Sequence, residues 1–330
     1  LYTLLHFLVD ALCAVAIFTF LYNDNYDDCL LVFFLYNGLA FLTQPLVGLL
    51  IDKYPHPHLF LLIGVGAILI AFITKDIVIL ATALLGIGNS FFHISGGKYV
   101  TAHSRNNIIA LGIFVSTGAL GLCLGQYFFT EYVMYGFLAF MFLLTFIILL
   151  SKEELITTER FANKSTKSSI AFVLILLLVV VFIRSFVGKI TVLDFDTNKY
   201  IFLGIAIATT LGKMLGGFVA KYLGIFKTTM LSMVVSIVML CLFTKDLPCI
   251  LIGIFFFNFS MPITLHLANK TLKSYNGVAF GALAAVMFPG YLLGMLGYND
   301  FAAKWIICIC TIMSALMIHI SSRSIQNELY

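Results

Sequence analysis

The chain has 330 residues, of which 62% are hydrophobic and only 10% are Asp, Glu, Lys or Arg, with a formal net charge of +4. Soluble domains carry about 25% charged residues. A water-soluble fold therefore lacks the polar surface to cover this apolar mass, and the mean hydropathy of +1.08 makes the bilayer the solvent.

Twelve apolar segments follow one another, at residues 1–21, 29–51, 59–73, 77–100, 108–129, 133–150, 170–192, 200–222, 228–243, 248–267, 278–296 and 302–320. Most approach the ~20 residues needed to cross the hydrocarbon core, and the third and ninth are short. Leu1-Tyr2-Thr3 already lies in an apolar run with no A-x-A-like site after it, so no cleavable signal peptide is expected. The connections are short, which leaves no room for a soluble domain. One break is longer: residues 151–169, SKEELITTERFANKSTKSS, are polar and bisect the segment count. The expected organisation is an N-terminal six-helix bundle at 1–150, a cytoplasmic linker at 151–169 and a C-terminal six-helix bundle at 170–330. Pro262 and Pro289 interrupt the tenth and eleventh segments, where bending or close packing is expected.

Charge sets the topology. With both termini cytoplasmic, the inner loops and tail hold eleven basic residues, among them Lys53, Arg105, Lys221, Lys227, Lys270 and Lys273. The outer loops then hold only Lys75, Lys199, Lys245 and Lys304, beside acidic residues such as Asp24, Asp27, Asp194 and Asp196. This is the asymmetry of the positive-inside rule, and it places the chain in a plasma membrane of the bacterial inner type. Of the seven cysteines, Cys13, Cys123, Cys241, Cys308 and Cys310 sit in apolar runs and read as small hydrophobes; Cys29 and Cys249 fall near one predicted face.

The junction after the second segment reads Gly48-Leu-Leu-Ile-Asp52-Lys53, and that after the eighth reads Gly217-Phe-Val-Ala-Lys221-Tyr-Leu-Gly224. Both place a glycine four residues before a charge at a predicted cytoplasmic helix end. Glycine lets helices approach, and the charge can dock on a neighbouring helix end. Six-helix halves repeated in parallel, with Gly48…Asp52-Lys53 as the loop signature, resemble the major facilitator superfamily. The copies depart from its pattern: Pro55-His56-Pro57-His58 replaces the usual glycine and basic cluster, and Lys221 stands where the second Asp would be. Two shorter motifs are similar to the fosmidomycin-resistance branch: His6-Phe-Leu-Val-Asp10, and Gly86-Ile-Gly88-Asn89-Ser90-Phe91-Phe92-His93, with Ile94 in place of the usual Pro. The resemblance implies an all-α fold of twelve transmembrane helices in two pseudo-symmetric six-helix bundles. It implies a cavity lined by segments one, four, seven and ten, and a gating loop built from Gly48, Asp52, Lys53, Gly217 and Lys221.

Ionisable groups at membrane depth are costly and mark function. His6 and Asp10 are four apart and share a helix face, which suits proton coupling. Asn89 and His93 share a face one turn apart, and Asn258 and His266 lie in the tenth segment; these four are expected to line the cavity, with Arg184 and Lys213. Arg184 is too deep to reach the inner surface; it is expected to bind a carboxylate or phosphate, or to pair with Asp10 or an outer-loop Asp. Lys98 and Lys189, nearer helix ends, are expected to snorkel. The deep charges lean positive, which favours an anionic solute.

No HExxH, P-loop or G-x-S-x-G occurs, and His56 with His58 lacks further zinc ligands nearby, so no enzyme activity, cofactor or metal site is expected. The expected partners are a small organic solute, protons and the bilayer, with no nucleic acid, around a monomer. The expected function is proton-coupled secondary transport by alternating access, as drug or phosphonate efflux. The competing readings are an organic-anion uptake carrier and a channel.

Overall fold

The structure, a computed structural model, describes residues 1–21, 26–151, 167–192, 198–243, 246–298 and 300–327. Among these residues the regular secondary structure is entirely helical. The first part of the chain forms α1 (Tyr2–Val15), α2 (Tyr26–Asn37), α3 (Gln44–Lys53), α4 (Pro57–Ile73), α5 (Val78–His103), α6 (Ile108–Tyr127) and α7 (Glu131–Leu150). The second forms α8 (Lys167–Val192), α9 (Lys199–Leu223), α10 (Ile225–Leu242), α11 (Leu247–Phe257), α12 (Ser260–Thr271), α13 (Asn276–Ala285), α14 (Met287–Gly294) and α15 (Asp300–Asn327). Residues 152–166 of the expected linker lie outside the described residues, as do Asp24, Asp194, Asp196 and Lys245.

Among the described residues, ten helical stretches are long and apolar enough to cross a membrane. The first and third expected segments appear as shorter apolar helices, Tyr2–Phe18 and Pro57–Ile73. In such helices every backbone bond closes within the segment, which is what a bilayer demands. The protein is an integral membrane protein. Large apolar side chains such as Phe142, Leu143 and Phe146 on α7 face outward, where lipid rather than water covers them.

Several expected segments are broken helices. The tenth divides into α11 and α12 at Asn258–Phe259, because Pro262 offers no N–H to the Asn258 carbonyl; Met261 N donates to that carbonyl instead, at 3.1 Å. Asn258 itself donates from Nδ2 to Ile254 O at 2.9 Å, so its side chain serves the break. The eleventh divides into α13 and α14 at Val286. Between α2 and α3 the chain takes a π-helical turn at Gly38–Leu42. Thr43 closes that turn, donating to Leu39 O at 2.6 Å and accepting from Ser90 Oγ at 2.8 Å.

Helix α1 runs through the interior, with Leu5, Leu8, Val9, Ala11 and Leu12 fully buried. It packs on α5, α6 and α7, and α6 in turn lies along α9. Close approach rests on small residues: a Cβ at Gly125 of α6 would strike the Ala11 backbone of α1.

Candidate functional site

Three groups of polar side chains lie in this apolar frame. In the first, α1 presents His6 and Asp10, and α5 presents Asn89 and His93, each pair one helical turn apart. The two faces meet. His6 Nε2 lies 3.3 Å from Asp10 Oδ2, His93 Nε2 lies 3.6 Å from Asp10 Oδ1, and the two Nε2 atoms are 2.9 Å apart. Both outer ring nitrogens point at backbone carbonyls: His6 Nδ1 at Phe114 O, 2.7 Å, and His93 Nδ1 at Asn89 O, 2.9 Å. A carbonyl only accepts, so each Nδ1 carries the hydrogen. Asn89 Nδ2 donates to Asp10 Oδ1 at 3.1 Å and to Tyr36 Oη at 3.3 Å. Gly118 of α6 gives this group room, because a Cβ there would strike Asp10 Oδ2 and lie 2.8 Å from His6 Nε2.

The second group comes from the later helices. Arg184 of α8 is buried, 7% exposed, and donates from Nη1 to Thr264 Oγ1 of α12 at 3.2 Å. Its Nη2 is buried without a hydrogen-bond partner among the described residues. Lys213 of α9 interacts electrostatically with both Arg184 and Asp10. Among the described residues no carboxylate lies within ion-pair distance of Arg184 or Lys213, so the alternative of an Arg184–Asp10 salt bridge is not what the structure shows.

The third group sits where the chain's basic turns lie, at the end of the bundle carrying Lys53, Arg105 and Lys273. Helix α13 has no capping side chain of its own. Asp52 of α3 supplies one from a distance: its Oδ1 accepts from Gly277 N at 3.0 Å and its Oδ2 from Val278 N at 2.9 Å. These are orphan N–H groups at the positive end of a helix dipole, a natural seat for a carboxylate. Lys98 of α5 donates to Asp52 Oδ1 at 2.5 Å and to Ile51 O at 3.2 Å. The side chains of both ions are 1% exposed. Lys98 thus corrects the snorkelling expectation. Its position near a helix end suggested a route to water, but the α3–α13 crossing covers it.

Beside this ion pair, the turn after α5 docks on α12. Asn106 Nδ2 donates to His266 O at 3.1 Å, and His266 Nδ1 donates to Asn106 O at 2.8 Å. Asn269 Nδ2 reaches Thr101 Oγ1 at 3.2 Å and Asn106 Oδ1 at 3.3 Å. Bare backbone completes the seam. A Cβ at Gly48 would meet the Gly277 carbonyl and lie 2.8 Å from Val278 N, and one at Gly217 would lie 2.6 Å from Ile108 O. At the other end aromatic rings meet, Phe33 and Phe34 of α2 on Phe288 of α14, with centroids 6.1 and 6.3 Å apart.

The structure therefore brings His6, Asp10, Asn89 and His93 together, with Lys213 within electrostatic reach of Asp10 and His93 and Arg184 within reach of Lys213. It puts His266 in the seam and Asn258 at a helix break, against Gly212 of α9. Lys53 and Lys221 are exposed, whereas Gly48, Gly217 and Asp52 are in the seam. Lys98, Asn106, Asn269 and Thr264 were not singled out as a set by sequence; nothing in local spacing links residues this far apart.

No protein-family model matches the sequence, and comparison with curated proteins returns no match. Solved structures do match. A major facilitator superfamily transporter, FucP, in the outward conformation, superposes with a TM-score of 0.67 at 13% identity, covering 97% of this chain and 98% of that one. The chain has the major facilitator fold. The E. coli fucose:proton symporter FucP in a second structure gives 0.65 at 12% identity, over 97% and 98% of the two chains. A bacterial homologue of the iron transporter ferroportin, in an outward-facing state, gives 0.60 at 14% identity, over 98% of each.

Proposed function

We propose that this protein is a secondary transporter that moves a small organic anion across the membrane by alternating access. One observation carries the reading: buried charged groups contributed by both the early and the late helices lie beyond an end that hydrogen bonds and an ion pair close. A carrier needs such an arrangement, with a ligand-facing charge cluster and a seam that can part. The fold, shared with the FucP transporters, supports it. In this reading twelve membrane segments form two bundles, 1–150 and 170–330, joined by a cytoplasmic linker, with both termini cytoplasmic. Asp52, Gly48 and Gly217 close the cytoplasmic gate.

Arg184 and Lys213 make the solute an anion. Arg184 Nη2 lacks a protein partner among the described residues, and a guanidinium fork takes a carboxylate or phosphonate bidentately. The motifs around His6 and His93 favour a phosphonate-like efflux substrate, with a proton as the driving ion and Asp10, aided by His6, as the coupling group.

Purified protein in liposomes tests this with counterflow of labelled small carboxylates and phosphonates. Arg184→Ala is expected to weaken solute binding on the order of 10- to 100-fold, the worth of a charge-assisted hydrogen bond. Asp10→Asn is expected to retain exchange but lose accumulation against a gradient. Counterflow unchanged in Arg184→Ala would remove the anion assignment, and ohmic current without counterflow would mean a channel.

A further inference from the structure

The hydrogens around His6, Asp10 and His93 do not balance. Each imidazole spends its Nδ1 hydrogen on a backbone carbonyl, Phe114 O at 2.7 Å and Asn89 O at 2.9 Å. A neutral ring then presents a bare lone pair at Nε2. The two lone pairs face each other at 2.9 Å, and both face the Asp10 carboxylate, an acceptor as well. Three acceptors thus converge at a point no protein hydrogen reaches. Something positive belongs there.

The shape of the gap identifies it. A first-row divalent metal holds His nitrogen and carboxylate oxygen at about 2.0–2.2 Å, so neighbouring ligands in a tetrahedral site are about 3.3–3.5 Å apart. Here the two nitrogens are 2.9 Å apart, and each faces its own carboxylate oxygen, His6 Nε2 at 3.3 Å from Asp10 Oδ2 and His93 Nε2 at 3.6 Å from Asp10 Oδ1, so the carboxylate would embrace the ion with both oxygens. The surroundings are those of a metal centre too. Both Nδ1–H groups are anchored on carbonyls, which fixes ring orientation and tautomer, and Asn89 Nδ2 holds the carboxylate at 3.1 Å. Tyr36 Oη is placed behind Asn89 at 3.3 Å. Gly118 leaves the floor of the site open, since a Cβ there would strike the Asp10 carboxylate.

We infer that His6 Nε2, His93 Nε2 and the Asp10 carboxylate form a binding site for one divalent transition-metal ion. Two imidazoles and one carboxylate suit Zn²⁺, Co²⁺, Ni²⁺ or Fe²⁺, whereas Ca²⁺ and Mg²⁺ require oxygen ligands. Three protein ligands leave a fourth position for water or for an oxygen of a bound solute. Sequence spacing pairs His6 with Asp10 but not with His93, because the third ligand comes from another helix 87 residues away.

The site stands without the transport reading, and its test requires no transport. Detergent-purified protein, stripped with a chelator, is titrated with Co²⁺ and followed by visible absorption, then with Zn²⁺ in competition. The expected result is one Co²⁺ per chain with the intense bands of a four-coordinate ion, displaced by Zn²⁺ and unaffected by millimolar Mg²⁺. His93→Gln and Asp10→Asn are each expected to weaken binding at least 100-fold. Gly118→Ala, which leaves all three ligands in place but intrudes on the carboxylate, is expected to weaken it about tenfold or change the spectrum. Tyr222→Phe, at a position of α9 that is 80% exposed, is expected to bind Co²⁺ as the parent does, and thermal melts of each variant confirm folding. No stoichiometric binding, binding indifferent to His93→Gln and Asp10→Asn, or equal displacement by Mg²⁺ would each overturn the assignment; the first would leave a proton between the imidazoles. Anion counterflow in liposomes is scored separately, so loss of the metal site leaves the carrier reading to its own result.

Discussion

Asp52→Asn is expected to lower stability by about 3–5 kcal/mol, the cost of removing one partner from a buried ion pair. The mutation keeps the shape of the side chain and an acceptor oxygen for Gly277 N. It strips the counter-charge from Lys98, whose side chain is 1% exposed and whose other partner among the described residues is the Ile51 carbonyl. It also places an NH₂ where the Val278 N–H now donates at 2.9 Å. Thermal melts in detergent measure the loss. The double variant Asp52→Asn/Lys98→Met removes the stranded ammonium and is expected to recover a substantial part of it. If the single variant melts within about 0.5 kcal/mol of the parent, the range of ordinary surface substitutions, Asp52 is a solvated loop charge and the seam owes it nothing.

Gly48→Leu is expected to force the same end apart. The obstacle is backbone, the carbonyl and carbonyl carbon of Gly277 and the N–H of Val278, so no side chain can rotate away. Overpacking of this kind costs about 1–3 kcal/mol when absorbed in place. Separation of α3 from α13 avoids that cost but breaks the Asp52 contacts. Maleimide labelling distinguishes the two results. In a background lacking the seven native cysteines, Ile51→Cys lies at a position 0% exposed. Labelling is expected to be slow while Gly48 is intact and at least tenfold faster once Gly48→Leu is added. Equal rates would show that the helices absorb the side chain without parting.

Much of this was readable from the chain. Apolar length located the spans, and ten of the twelve expected segments are long enough to cross a membrane. The spacing of four placed His6 with Asp10 and Asn89 with His93, because one helical turn is a local property. The Gly48…Asp52 pattern pointed to a helix end, and Asp52 does cap one. What failed to show was non-local. Whether His93 meets His6 depends on the rotation and depth of α5 against α1, which many apolar contacts set together. Lys98 was assigned to water by its distance from the helix end; its burial depends on α3, 46 residues away in sequence. Proline located one helix break, but the bond from Asn258 Nδ2 to Ile254 O beside it is not legible in spacing.

The bare-backbone seam has an electrical consequence. At Gly48, Gly277 and Gly217, the main chain of one helix lies against that of another with no space for a methyl group, and hence none for a file of water. A barrier this dry and this thin acts as the dielectric of a capacitor. Moving one elementary charge across the membrane potential is worth about 2.3 kcal/mol per 100 mV. An ion held near Asp10 can traverse the portion of that field at the seam only when the glycines separate. On the transport reading proposed above, leak current and exchange then share one opening event, so a side chain that props the seam ajar should make the membrane conductive as well as stop exchange.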